Sequence, residues 1–226
     1  MKLKVMTYNV HSCIDVEKRN SLKRIYDFIR NERPAIVGLN EVESFSPRVG
    51  FVNQPKRLAA SRNMLYRYGP AIKLGPIGFF GNAIMSRYPV YESKNFRLPA
   101  KREQRCCLRT RLRVPDGYIT VFTTHLGLNR QERSEQIAEL RRLVEQEKNP
   151  VILMGDFNCG TDQLAPLYQL LSDAGSFFGS LPTFSLTNPV DRIDYILFSA
   201  EFKCRALTVA GCDASDHLPV IAELHL

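Results

Sequence analysis

Apolar side chains recur along this chain in two periods, and each period predicts a different element. Leu22, Ile25, Tyr26 and Ile29 keep the i, i+3, i+4, i+7 spacing of one helical face, which predicts a helix over 21–33. Asn20 or Ser21 can cap it and Pro34 stops it. Ile137, Leu140 and Val144 predict a second helix over 130–148, and the run 162–175 a third, with Gly175 placed to end it. Short segments rich in β-branched and aromatic residues predict strands at 3–10, 35–42, 79–86, 107–114, 118–126, 151–157, 194–199, 204–211 and 219–226. Asp116-Gly117 signals a hairpin turn between two of them. Residues 43–63, with Pro47, Gly50 and Pro55, read as loop. Many strands, few helices and occasional hairpins predict a mixed α/β layered sandwich in one domain, 1–226.

The strands share a second regularity. "VMTYN" ends at Asn9, "IVGLNE" at Glu41, "VFTTH" at His125 and "ILMGDFN" at Asp156 and Asn158. "RIDYILF" begins with Asp194, and "SDHLPV" sets Asp216 and His217 just ahead of the last strand. Each has an ordinary structural explanation alone, as a cap, a solvated acid or a satisfied histidine. Together they predict a shared cleft, because ligands of α/β sheets collect outside the strand ends. Carboxylates and amides without a thiolate set suit a hard cation and a phosphate better than zinc.

The remaining totals narrow the picture. Lys+Arg 31 against Asp+Glu 23 gives a net charge of +8, which favours a polyanionic partner. No segment reaches the roughly 18 apolar residues of a membrane span. The start "MKLKVMTYNV" does not read as an export signal. The expectation is a cytoplasmic protein without stable membrane insertion or an obligate protein partner. Its six cysteines would then be reduced thiols.

Taken in order, "TYNVH", "NEVE", "GNAIMSRYP", "TTHL", "GDFN", "RIDYIL" and "SDHLPV" resemble the successive motifs of the endonuclease/exonuclease/phosphatase superfamily, from residue 7 to 220. That group includes DNase I, apurinic endonucleases, deadenylases, tyrosyl-DNA phosphodiesterases, neutral sphingomyelinases and inositol polyphosphate 5-phosphatases. The resemblance implies a four-layered αββα sandwich of two packed mixed β-sheets with the site at one edge. It implies Mg2+, with Mn2+ able to substitute, held by Glu41 with Asn9 and Asp216. It also implies that Asp156 activates water, Asn158 donates to the phosphoryl oxygen, and His217, held by Asp194, stabilises the oxyanion. His125, Arg105 and Asn82 would bind substrate phosphate.

Reading Asp156 and Asn158 as neighbours in an extended strand puts both on one face, with Phe157 turned back to pack. The family's usual Gln-Glu pair is Asn40-Glu41 here, His11 replaces an Asp of the apurinic endonucleases, and Trp is absent. These departures, with no room for DNA-gripping insertions, disfavour an apurinic-site specialist, and 5-phosphatase substrate motifs are missing. The leading function is a Mg2+-dependent phosphodiesterase acting on DNA or RNA. The alternative is a sphingomyelinase-like or phosphatase-like enzyme for a lipid or small phosphorylated molecule. A non-catalytic binding module is disfavoured by the retained Glu, Asp and His residues. The basic run "KREQRCCLRTRLR" is either a solvated edge or a phosphate-binding strip, with Arg105 its best candidate.

Overall fold

The computed structural model describes residues 1–179 and 181–226. The strands are β1 (Lys2–Asn9), β2 (Ile36–Ser44), β3 (Leu65–Leu74), β4 (Gly78–Ser86), β5 (Val90–Arg97), β6 (Cys106–Val114), β7 (Gly117–His125), β8 (Val151–Asp156), β9 (Ser172–Asp173), β10 (Asp194–Phe198), β11 (Lys203–Val209) and β12 (Val220–His225). The helices are α1 (Leu22–Glu32), α2 (Gln54–Ala59), α3 (Arg130–Glu145), α4 (Ala165–Tyr168) and α5 (Gly175–Phe178). Two six-stranded sheets form, in the orders β11-β12-β1-β2-β4-β3 and β5-β6-β7-β8-β10-β9. Each is mixed, with one parallel pair, β1–β2 or β7–β8, at its centre.

The central strands are apolar on both faces because both faces are covered. Leu3 and Val5 of β1 face Ile152, Met154 and Ile196 of the opposite sheet. Met6 and Tyr8 point the other way, onto Ile25 and Ile29 of α1 and Leu58 of α2. In the second sheet Phe122, Leu153 and Leu197 turn outward onto Ile137 and Leu140 of α3 and Leu167 of α4. The result is the four-layered αββα sandwich that the motif resemblance implied.

Two sequence expectations fail and two strands go unanticipated, each for a local reason. Strands β3 and β5 lie at sheet edges, where Gly69 and Pro70 interrupt β3 and Glu92, Lys94 and Arg97 are mixed into β5, so neither carries the apolar run of a buried strand. The expected helix over 162–175 ends at Tyr168, and Ser172–Asp173 pairs with β10 instead. Asp173 there accepts from the Gly175 amide at 2.8 Å and holds Arg192 through both carboxylate oxygens. Gly175 starts α5 rather than closing a helix, and a Cβ on it would overlap the Arg192 guanidinium. The loop over 43–63 contains α2, and β2 runs on to Ser44.

All six cysteines are free thiols, four of them buried. Burial pushes the Cys106 thiol up to about 12, with hydrogen bonds from the Asn82 backbone and side chain pulling the other way. Among the described residues no helix is long and apolar enough to cross a membrane.

Gly155 decides how β7 and β8 meet. Its φ is 143, and a Cβ there would collide with the Thr124 carbonyl. Gly155→Ala is therefore expected to cost at least ~2 kcal/mol, lowering the melting temperature by roughly 4 °C or more for a chain of this size. Calorimetry showing an unchanged midpoint would mean that the two strands can separate without penalty.

Candidate active site

Strand register lines up the polar residues before any side chain is considered. In the first sheet Asn9 is the partner of Asn40 across β1–β2. In the second, Asp156 has His125 of β7 on one side and Asp194 of β10 on the other. Both parallel pairs run their carboxyl ends to the same edge of the sandwich, so the two rows face each other there. His217 reaches them from the loop before β12, bridged to Phe184. Neighbouring Thr183 accepts from the Asp194 amide at 3.2 Å.

The sheets are tied together at this edge by Asn40. Its amide donates to Asn82 Oδ1 at 2.9 Å and to the Thr124 carbonyl at 2.8 Å, and its oxygen accepts from the Asp156 amide at 3.0 Å. The next residue breaks the β2–β4 register: the ladder shifts between Leu39 and Val42, and Glu41 takes φ 56. Such a bulge re-aims a side chain. Here it turns the Glu41 carboxylate into a cavity of about 380 Å3 that His125 and Arg105 also line. Asn9, oriented by the His11 amide at 3.1 Å, donates to Glu41 Oε1 and Asp156 Oδ2, both at 3.0 Å.

Three groups converge on Asp156 Oδ2. One is the Asn9 amide. The second is His125 Nε2, 3.4 Å away. The Arg105 guanidinium, which only donates, lies 2.9 Å from His125 Nδ1, so the neutral ring carries its proton on Nε2 and offers it to Asp156. Burial first, then the charges of Arg105 and His217, pushes the His125 pKa well below its usual value and keeps that ring neutral. The third is His217 Nε2, 3.7 Å away. Burial opposes a charge on His217, but Asp194, 2.9 Å from its Nδ1, with help from Asp156 and Asp216, outweighs that and raises its pKa. The Asp194–His217 contact expected from the sequence is therefore present. Burial, and then the Asp194 charge, raises the Asp156 pKa toward neutrality despite His217 and Asn9.

The other candidate residues are distributed as follows. Asp216 lies at the rim, with His11 Nδ1 3.4 Å from its carboxylate. Burial would raise its pKa, but the His11 and His217 interactions bring it below the usual carboxylate value. Arg105 is buried beside His125 and also pairs with Glu103 at 3.0 Å, so it enters the site through the histidine. Asn82 is buried with its oxygen taken by Asn40 and its amide given to the Cys106 carbonyl at 3.0 Å. It is a strut beneath the site rather than a phosphate-facing donor.

Asn158 does not share the face of Asp156 by strand alternation, because β8 stops at Asp156 and Asn158 sits at φ 50. Its backbone amide binds Asp156 Oδ1 at 2.9 Å, and its side chain donates to the Leu126 carbonyl at 2.9 Å. Phe157 does pack inward, fully buried. Arg109 and Arg111 are paired with Glu92 and Glu147, so that strip is not an open phosphate track.

Sequence reasoning treated Asn40 only as a shortened neighbour of Glu41 and missed its central position. A polar residue amid the apolar run "AIVGLN" was the available signal. Arg48 forms a further wall of the cavity, where it is held by Glu43 and by Ser12 Oγ at 3.2 Å.

Chemically, the arrangement offers an acceptor of raised basicity, a charged imidazolium donor and a carboxylate open to the cavity. Asp156, Asp194 and His217 also bring ligand atoms within 4.8 Å of one another, a grouping that could hold a metal ion. Asp194 Oδ1 is buried there without a hydrogen-bond partner among the described residues.

The chain is similar to known proteins in both sequence and fold. A profile of the Endonuclease/Exonuclease/phosphatase family matches residues 6–217. The uncharacterized protein YbhP of Escherichia coli K12 is 29% identical over 99% of this chain and 96% of its own. Among solved structures, D. rerio TDP2 complexed with single strand DNA product superposes with a TM-score of 0.78 at 19% identity, covering 100% of this chain and 99% of that one. A mannosyl-6-phosphatase of Bacteroides thetaiotaomicron gives 0.76 at 20% identity, covering 99% and 100%. The two structures establish the shared fold.

Two outcomes follow from the electrostatics. The raised Asp156 and His217 pKa values mean that the folded chain binds these protons more tightly than the unfolded one. Stability of the metal-free protein should then fall as pH rises above the ordinary carboxylate and imidazole values. Asp156→Asn should flatten this fall between about pH 4 and 7, the span from the ordinary carboxylate value to the raised one, and raise the midpoint at pH 8 by at least ~2 °C. A lower midpoint with an unchanged slope would contradict it. Separately, Asp194→Asn and His217→Ala should each lower kcat by about a hundredfold or more. Combined, they should cost clearly less than the sum of the singles; additive losses would show that the residues act apart.

Proposed function

The chain belongs to the endonuclease/exonuclease/phosphatase family and is a phosphohydrolase of that family, and on that premise we propose that it hydrolyses phosphodiesters, with nucleic acid as its substrate and Mg2+ as its ion. The observation that carries this reading is the convergence on Asp156. A buried carboxylate of raised pKa faces a charged His217 beside a cavity into which Glu41 projects.

The residues fit a hard divalent cation. Asp156 and Asp194 flank the His217 imidazolium, Glu41 shares the Asn9 amide with Asp156, and Asp194 Oδ1 has no hydrogen-bond partner among the described residues. Glu41 is the best anchor, since its side chain remains 21% exposed to the cavity, whereas Asp194 is committed to His217. Asn9 would hold Glu41 in place, and Asp216 would assist from the rim. A cation bound there supplies charge neutralisation and makes a coordinated water more acidic; Mn2+ fits the same oxygen set.

The protein's own groups supply the rest. Asp156 accepts the proton of the attacking water, a task for which a pKa near neutrality is suited. Asn9 and His125 hold its carboxylate in line. His217 presents Nε2–H to the phosphoryl oxygen as charge develops, and Asp194 fixes the ring that does so. Asn158 holds Asp156 from the far side and lies close enough to the strand end to add its remaining N–H. The net charge of +8 and the arginines near the cavity support a polyanionic substrate. A cavity of about 380 Å3 also admits a small phosphorylated molecule, and this is the second reading.

Single-stranded and duplex oligonucleotides, bis(p-nitrophenyl) phosphate, sugar phosphates and sphingomyelin vesicles, each with Mg2+, Mn2+ or EDTA, separate the two readings. Diester cleavage abolished by EDTA is the expected result, and turnover of sugar phosphates alone would replace it with the second reading. Glu41→Gln should remove the thermal stabilisation given by Mn2+ and lower kcat at least tenfold. Retained Mn2+ stabilisation would move the ion away from Glu41.

A further inference from the structure

We propose that the groove beside the catalytic cavity, lined by Lys73, Arg97 and Arg102 over an apolar floor, binds the flanking nucleotide and next phosphate of a single-stranded nucleic acid. This inference rests on the phosphodiesterase reading and specifies the substrate for it.

The groove is a second cavity, of about 550 Å3, between the β3–β4 ribbon and the loop over 98–105. It adjoins the catalytic cavity, since Ile72 and Glu103 line both. Its floor is Pro70, Ile72 and Phe79, with Lys73 directly across the ladder from Phe79. Its sole lining acid among the described residues, Glu103, is held by Arg105 at 3.0 Å. Lys73, Arg97 and Arg102 form no ion pair among the described residues, whereas nearby Lys101 leans toward Glu135 and Arg109 and Arg111 are paired with acids. Three cations without an acidic partner among the described residues therefore line one groove.

The wall that carries them is fixed in advance. Gln104 accepts from Arg97 at 2.8 Å and donates to the Leu98 and Arg105 carbonyls at 2.8 and 2.7 Å. Gln136 of α3 anchors the same loop through the Pro99 carbonyl at 2.8 Å. One short segment thus presents Arg105 to the catalytic cavity and Arg102 to the groove, with Arg97 at its base.

Cations spaced beyond the reacting phosphate match a ligand that repeats its phosphates. An apolar floor with an aromatic ring suits a sugar or an unstacked base, the combination used for single strands. A lipid offers a single phosphate and would need an acyl path, and this floor is short and rimmed by cations.

The test measures binding of a fluorescent oligothymidylate in EDTA over a salt series, for the wild type and for Lys73→Gln/Arg97→Gln/Arg102→Gln. The same two proteins are assayed with Mn2+ on that oligonucleotide and on bis(p-nitrophenyl) phosphate. The substituted side chains are exposed, and circular dichroism confirms folding. The variant should bind at least ~10-fold more weakly, and the log–log salt slope should lose about 2, from three contacts at about 0.7 each. The ratio of kcat/KM on the oligonucleotide to that on the small diester should fall by about tenfold or more. Unchanged oligonucleotide binding overturns the proposal while leaving diester hydrolysis standing. So does equal loss on both substrates, or wild-type binding to phospholipid vesicles in place of the oligonucleotide. Expected binding with no diester cleaved under any ion instead overturns the catalytic reading and leaves the groove.

Discussion

A single buried amide holds the two sheets in register where the chemistry lies. Asn40 belongs to the first sheet, and two of its three side-chain bonds go to the backbone of the second, at Thr124 and Asp156. The third goes to Asn82, which continues the link to the Cys106 carbonyl. A buried amide left without such partners costs about 1–3 kcal/mol for each lost bond, so no small slip of one sheet over the other is cheap. That fixed spacing is what allows Asn9 of one sheet to bind Asp156 of the other. The apolar core below is non-directional and could not set that distance to a fraction of an ångström.

The groups above this clamp pull against the rest of the fold. Glu41 at the β2 bulge, and Asn158 and the run His11, Ser12 and Cys13 just past strand ends, all adopt positive φ. Like-charged Asp156 and Asp194 are buried side by side and balanced by one imidazolium. Such strain persists only where surrounding structure over-determines it. The double-sided core of β1, β2, β7 and β8 supplies that determination, which explains why the site sits at the end of the best-buried strands and not in a mobile loop.

Most of the architecture was legible because burial leaves a period in the sequence. The central strands announced themselves as apolar runs ending in polar residues, and the order of the motifs gave the fold. Edge strands β3 and β5 were invisible since an edge asks only that one face be tolerable to water. The expected helix through 162–175 failed because apolar spacing cannot report that Asp173 is required by Arg192. In the site, residue types were readable and their directions were not. Asn158 was misread because the strand ends two residues before it, and Asn82 because a buried partner is a three-dimensional fact. Arg105 stood out in a basic run, but only the fold reveals that it fixes the proton on His125.

The thiol of Cys106 lies at the foot of the clamp, where Asn82 approaches its sulfur at 3.4 Å and it reaches the Gly69 carbonyl at 3.3 Å. Buried and held protonated, it is inert toward alkylating reagents while the sheets stay closed. Its labelling rate therefore counts the moments at which the sandwich opens at its working edge. The molecule carries a built-in clock for the opening of its own active end, readable without substrate, metal or any assay of turnover.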